Sequence, residues 1–247
     1  MTLIISLVFA ISGSIIMGLA LQVIFKGIDP AKVSGYRKCK GGWWEAELNQ
    51  CDSGLVMVPQ QPVNTYSNLA YLAVALFLMF FINTLTVYIL SLTLMYLCVG
   101  SALYHATSTR RAGSLDVSAM YAVFSVLAVF AASKFTMLED SLVALIMFAV
   151  AGLAAYFLRY KFRGSMAIKI GIFLILTYSL AVWNMLKSNN LESKGYLIVS
   201  FVLFVVAFLV WNLDKWRFFP FKRWGHGFWH IISAIAISIL FYAMHLM

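Results

Sequence analysis

Residues 85–107 read LTVYILSLTLMYLCVGSALYHAT, an apolar run that closes on Ser101 and His105. An α-helix rises about 1.5 Å per residue, and a bilayer's hydrocarbon core needs about 20 residues to cross. This stretch therefore reads as a membrane-spanning helix with a polar pair at one end. Residues four apart share a helix face, so Ser101 and His105 point the same way. Comparable runs cover residues 2–25, 64–82, 140–159, 166–186, 195–212 and 224–246, with another beginning near Ser114. Eight spans in 247 residues leave no room for a soluble domain. The expected fold is an all-α, polytopic transmembrane helix bundle. The run at 2–25 competes with a signal peptide, but it has no basic leading region and exceeds the usual apolar core of one.

Composition points the same way. Only 11% of residues are charged and the mean hydropathy is +0.90, whereas soluble domains carry about a quarter charged residues. The net charge of +9 does not indicate nucleic acid, because the basic residues sit in short loops between spans. There they set topology and meet anionic lipid head groups. Loops after the first, third, fifth and seventh spans hold fifteen of the eighteen Lys and Arg residues, Lys169 counted with its nearest loop. Such asymmetry marks a cytoplasmic side, in a bacterial inner membrane or a eukaryotic endomembrane.

The longest polar segment is 26–63. It holds Glu45, Glu47 and Asp52, three of the nine carboxylates. It reads either as a solvated juxtamembrane loop or as an oxygen-rich site for a hard cation such as calcium. Cys39 and Cys51 flank its acidic part and can pair only in an oxidising compartment. Cys98 lies inside a span and reads as packing. Asn64 and Asn68 open the second span on one face, where amides usually bond to neighbouring helices.

Trp224-Gly-His226-Gly-Phe-Trp-His230 opens the last span. His226 and His230 are again four apart. Trp211, Trp216, Trp224 and Trp229 read as an interfacial aromatic belt. Arg110, Arg111 and Gly113 read as a tight turn before Ser114, an N-cap that places Asp116 in the first helical turn. An aspartate there suits the helix dipole alone. Yet the alternation of spans puts Ser101, His105, Asp116, His226 and His230 at one side of the membrane. His245, the remaining histidine, falls at the other and reads as interfacial. Ionisable groups at membrane depth usually mark function.

Three neutral imidazoles with one open position describe a catalytic zinc site. His105, His226 and His230 are the expected ligands, and the nucleophile is a water whose pKa the metal lowers to about 7. Asp116 is suited to carry the proton to the leaving group. Ser101 is suited to bond the developing oxyanion. Ser101 as nucleophile is the other reading, although no spare histidine remains to activate it.

These elements together resemble the alkaline ceramidases and their superfamily, which includes the adiponectin and progestin-type receptors and the Per1-like lipid-remodelling proteins. The matching residues are Asn64-Thr-x-Ser67-Asn68-Leu, Ser101-x-x-x-His105, Asp116 and His226-x-x-x-His230. The resemblance covers about residue 60 to the end. It implies a seven-helix core at 64–247, preceded by an additional helix at 1–25 and the polar segment 26–63. It assigns zinc to His105, His226 and His230, water activation to Asp116, and an oxyanion or substrate contact to Ser101. The implied reaction is amide hydrolysis of ceramide-like lipids to a free fatty acid and a sphingoid base. A lipid esterase of the Per1-like kind, or a receptor-like protein with a structural zinc, are the alternatives. The family's calcium site has a glutamate three residues before the Asn-Thr pair, where this chain has Gln61. Glu45, Glu47, Asn49 and Asp52 keep its oxygen-rich character without its register. The family pattern also places this side of the membrane in an oxidising lumen, against the cytoplasmic reading of the charges.

Overall fold

The structure is a computed structural model that describes residues 2–26, 59, 61–136, 138–160, 165–188, 190–215 and 224–247. The candidate cation residues Glu45, Glu47, Asn49 and Asp52, and the Cys39–Cys51 pair, lie outside the described residues. Among those described there are nine α-helices and no strand. They are α1 (Thr2–Lys26), α2 (Pro62–Ser67), α3 (Leu69–Phe81), α4 (Leu85–Thr107), α5 (Arg110–Ser133), α6 (Asp140–Tyr160), α7 (Met166–Lys187), α8 (Leu191–Lys215) and α9 (Gly225–His245). Eight spans are long and apolar enough to cross a membrane, α2 and α3 together making the second. The protein is a multi-pass, all-α membrane bundle.

The break inside the second span has a local cause. Asn64 O accepts from the Asn68 side chain at 2.7 Å and from Ser67 Oγ at 3.1 Å. Side chains that bond nearby carbonyls compete with the helical ladder, and α2 stops at Ser67 with Asn68 as a turn residue. The two asparagines therefore bond along their own segment: Asn64 Nδ2 donates to Gln61 Oε1 at 3.1 Å. Pro62 at the start of α2 is as expected, because its missing N–H is not needed in a first turn.

The start of the fourth span also differs from the sequence reading. Helix α5 begins at Arg110, with Thr109 as its N-cap accepting from Ala112 N at 3.2 Å. The turn before it is made by Ser108, in the left-handed region at φ 47°. Arg110, Arg111 and Gly113 are helical, Ser114 is not a cap, and Asp116 lies beyond the first turn. The reason is that Thr109 already supplies a capping hydroxyl, and Gly113 provides the flat surface on which the Tyr104 ring lies. At the opposite end, Asp140 caps α4 by accepting from Leu85 N and Thr86 Oγ1, both at 2.7 Å.

Helices α3, α4, α5 and α9 surround the buried core, which contains Ala75, Leu90, Leu94, Leu127, Ile237 and Leu240. In lipid, helices associate through close packing and interhelical hydrogen bonds worth roughly 0.6 kcal/mol on average. Both are present: Ala119, Ala234 and Ala236 are fully buried. Ser91 Oγ donates to Ala75 O at 3.1 Å, Asn184 Nδ2 to Ala131 O at 3.1 Å, and Ser200 Oγ to Ala236 O at 3.0 Å. Cys98 is buried among these residues as a packing side chain. Helix α1 is peripheral. It packs on α3, and only 17% of its apolar window is buried against 67% for α5.

Candidate metal centre

The last turn of α4 carries His105 and the first turns of α9 carry His226 and His230. The three rings converge. Their centroids are 4.8 Å apart for His105 and His226, 5.1 Å for His105 and His230, and 4.7 Å for His226 and His230. One nitrogen from each can be chosen so that all lie within 4.8 Å of one another. His105 and His230 are almost wholly buried.

Close helix approach makes this convergence. Gly227 stands between the two histidines of α9. A Cβ there would come within 2.9 Å of Val63 Cγ1 and 3.5 Å of Ser67 Cβ, so a side chain would push α9 away from α2. Asp214 at the end of α8 accepts a hydrogen bond from the His226 backbone N–H, which satisfies a donor that a helix start leaves orphaned. Asp214 and the backbone it holds were not singled out by the sequence. Its position at the end of a span, eleven residues before the start of α9, was the only signal.

Gly100 does the same for the α4–α5 seam. A Cβ there would lie 3.1 Å from Leu115 C and 3.2 Å from Asp116 N. This approach lets Ser101 hydrogen-bond to the Asp116 carboxyl. Tyr71 of α3 connects the pair to the histidines. Its ring centroid is 6.0 Å from that of His230, and its phenol is near enough to interact electrostatically with Asp116. The phenol also bonds Ser233 Oγ at 2.8 Å. All five residues expected from the sequence are thus placed at one end of the bundle, the histidines in one cluster and Ser101 with Asp116 in an adjoining pair. His245 closes α9 at its other end, stacked on Phe241, about 22 Å from His230 at 1.5 Å per residue. Trp211 and Trp229 approach at 5.8 Å between ring centroids, and Trp224 is exposed at the helix start; Trp216 lies outside the described residues.

Three residues beyond the expected set touch the histidines. Gln61 Oε1 meets His105 Nδ1 at 2.5 Å, Ser67 Oγ meets His230 Nδ1 at 2.8 Å, and the His230 ring bonds the Asn64 backbone. His226 Nδ1, by contrast, is buried with no hydrogen-bond partner. A buried polar atom left so costs about 1–3 kcal/mol, and a cation bound among the rings offsets that cost. The donor set is all imidazole, which suits zinc and other borderline ions and not calcium or magnesium, which take oxygen. The cluster fits a metal on both counts.

No curated protein matches the chain. The family model described as Ceramidase matches it over residues 46–247, and the chain, with eight candidate membrane spans and a histidine cluster at one end of the bundle, belongs to the ceramidase family of membrane hydrolases.

Proposed function

We propose that this protein is a zinc-dependent amidase that cleaves ceramide-like lipids into a free fatty acid and a sphingoid base. The observation that carries the reading is the convergence of His105, His226 and His230 beside the Ser101–Asp116 pair, in a chain of the ceramidase family. The chemistry a bound zinc supplies there is Lewis-acid polarisation of the scissile carbonyl and a lowered pKa for the attacking water. His105, His226 and His230 would hold the ion.

The other steps belong to the chain's own side chains. Asp116, as a carboxylate, accepts a proton as the water oxygen bonds to the acyl carbon. It returns that proton to the leaving nitrogen as the C–N bond breaks, so the sphingoid base departs as an amine. Ser101 holds the Asp116 carboxyl in place before reaction and donates to the developing oxyanion during it. The apolar walls of α3, α4, α5 and α9 exclude bulk water, which strengthens both interactions. The hydrolase core is residues 64–247, with α1 as an added peripheral span. The charge asymmetry supports a site at the cytoplasmic face, with anionic head groups held by the basic loops.

The test is hydrolysis by the purified protein of a ceramide panel beside phospholipids and other acyl esters. Release of fatty acid and sphingoid base from ceramide supports the amidase. Turnover of esters alone, with ceramide inert, would make it a lipid esterase.

A further inference from the structure

Gln61 and Ser67 stand at the two ends of α2, and each faces a different histidine of the cluster. Helix α2 packs on both α4 and α9, the helices that carry those histidines. On the α4 side, Gln61 Oε1 lies 2.5 Å from His105 Nδ1, and Gln61 N donates to His105 O at 3.2 Å. The same Oε1 accepts from Asn64 Nδ2 at 3.1 Å. The Gln61 amide is placed with its oxygen toward the ring. An oxygen that only accepts requires a proton on His105 Nδ1.

On the α9 side, Ser67 Oγ donates to Asn64 O at 3.1 Å. Its one proton is thereby used, and its lone pairs are left for His230 Nδ1–H at 2.8 Å. In a neutral imidazole with Nδ1 protonated, Nε2 carries the free lone pair.

We propose that α2 is an orienting clamp for the metal centre: Gln61 and Ser67 are positioning residues that hold His105 and His230 as Nδ1–H tautomers, turning both Nε2 atoms to one ion. The proposal rests on the zinc reading above. It makes the span's opening turn part of the centre, although none of its residues is a ligand. His226 has no such partner on Nδ1, so two rings are set beforehand and the third is brought in by α9 alone. Outer partners of this kind typically contribute 10–100-fold to metal affinity.

The experiment measures zinc affinity by chelator competition in detergent-purified wild type, Gln61→Leu, Gln61→Glu and Ser67→Ala. Each protein is also labelled with 15N-histidine, and its ring nitrogens are observed without metal. Affinity is expected to fall about 10–100-fold in Gln61→Leu and in Ser67→Ala, and each variant loses the Nδ1–H signature of one ring. Gln61→Glu keeps an acceptor oxygen and is expected to retain at least wild-type affinity. Ser67→Ala removes a single oxygen and decides the matter if Gln61→Leu fails to fold. Wild-type affinity and unchanged ring spectra in the folded loss variants would overturn the clamp while leaving the metal centre standing. A wild type that binds no zinc would overturn the metal reading itself, and the clamp with it.

Discussion

Ser101 and Asp116 share a hydrogen bond across the α4–α5 seam, and the proposed reaction gives each a separate task. Asp116→Asn keeps the shape and removes the proton acceptor. It is expected to retain zinc while kcat falls about 10²–10⁴-fold, checked by metal analysis beside single-turnover kinetics. Ser101→Ala is expected to cost about 10²–10³-fold, the usual worth of one oxyanion donor. Because the two side chains touch, the double variant should lose less than the product of the single losses. Full activity in Asp116→Asn would remove that residue from the reaction. The five polar residues were legible in the sequence because helical spacing and alternating spans forced them to one side. Gln61 and Ser67 were not legible as histidine partners. They meet rings 44 and 163 positions away, and such pairings follow from tertiary packing that no local pattern encodes. Gln61 stood out only as a departure from a family glutamate.

The helices place the site through two close approaches. At Gly100 the α4 backbone lies against Leu115 and Asp116, where an added Cβ meets main-chain atoms that cannot rotate aside. Gly100→Val is expected to destabilise the bundle by about 1–3 kcal/mol, the common range for overpacking, and to separate Ser101 from Asp116. The measurement is thermal unfolding in detergent together with kcat; an unchanged midpoint and rate would show that the seam is not tight. The existence and approximate extent of each span were readable because apolar length is a strong signal in lipid, where every backbone group must be paired within the element. Helix starts were read less well. Both Thr109 and Ser114 offer a capping hydroxyl, and Gly113 has the look of a turn until the Tyr104 ring is laid on it. The interruption at Asn68 was hidden too, since it depends on several groups sharing the Asn64 carbonyl.

Across the whole molecule, the histidine cluster lies at one end of the bundle, and the order of spans in the sequence assigns fifteen of the eighteen Lys and Arg residues to loops on that side. The account places that end in the cytoplasm. Arg163→Cys, in a background without the native cysteines, is therefore expected to react with a membrane-impermeant maleimide from the cytoplasmic side only. Labelling from the opposite side would reverse the topology and put the site in the lumen or periplasm. The central claim is that three histidines hold one zinc and that this zinc is used for lipid amide hydrolysis. The most direct measurement is zinc content and ceramide turnover determined together on the same purified samples of wild type and His226→Ala. The account predicts one zinc per chain with turnover in the wild type, and loss of both in the variant. A folded wild type that hydrolyses ceramide without zinc, or holds zinc and releases no product, would contradict it.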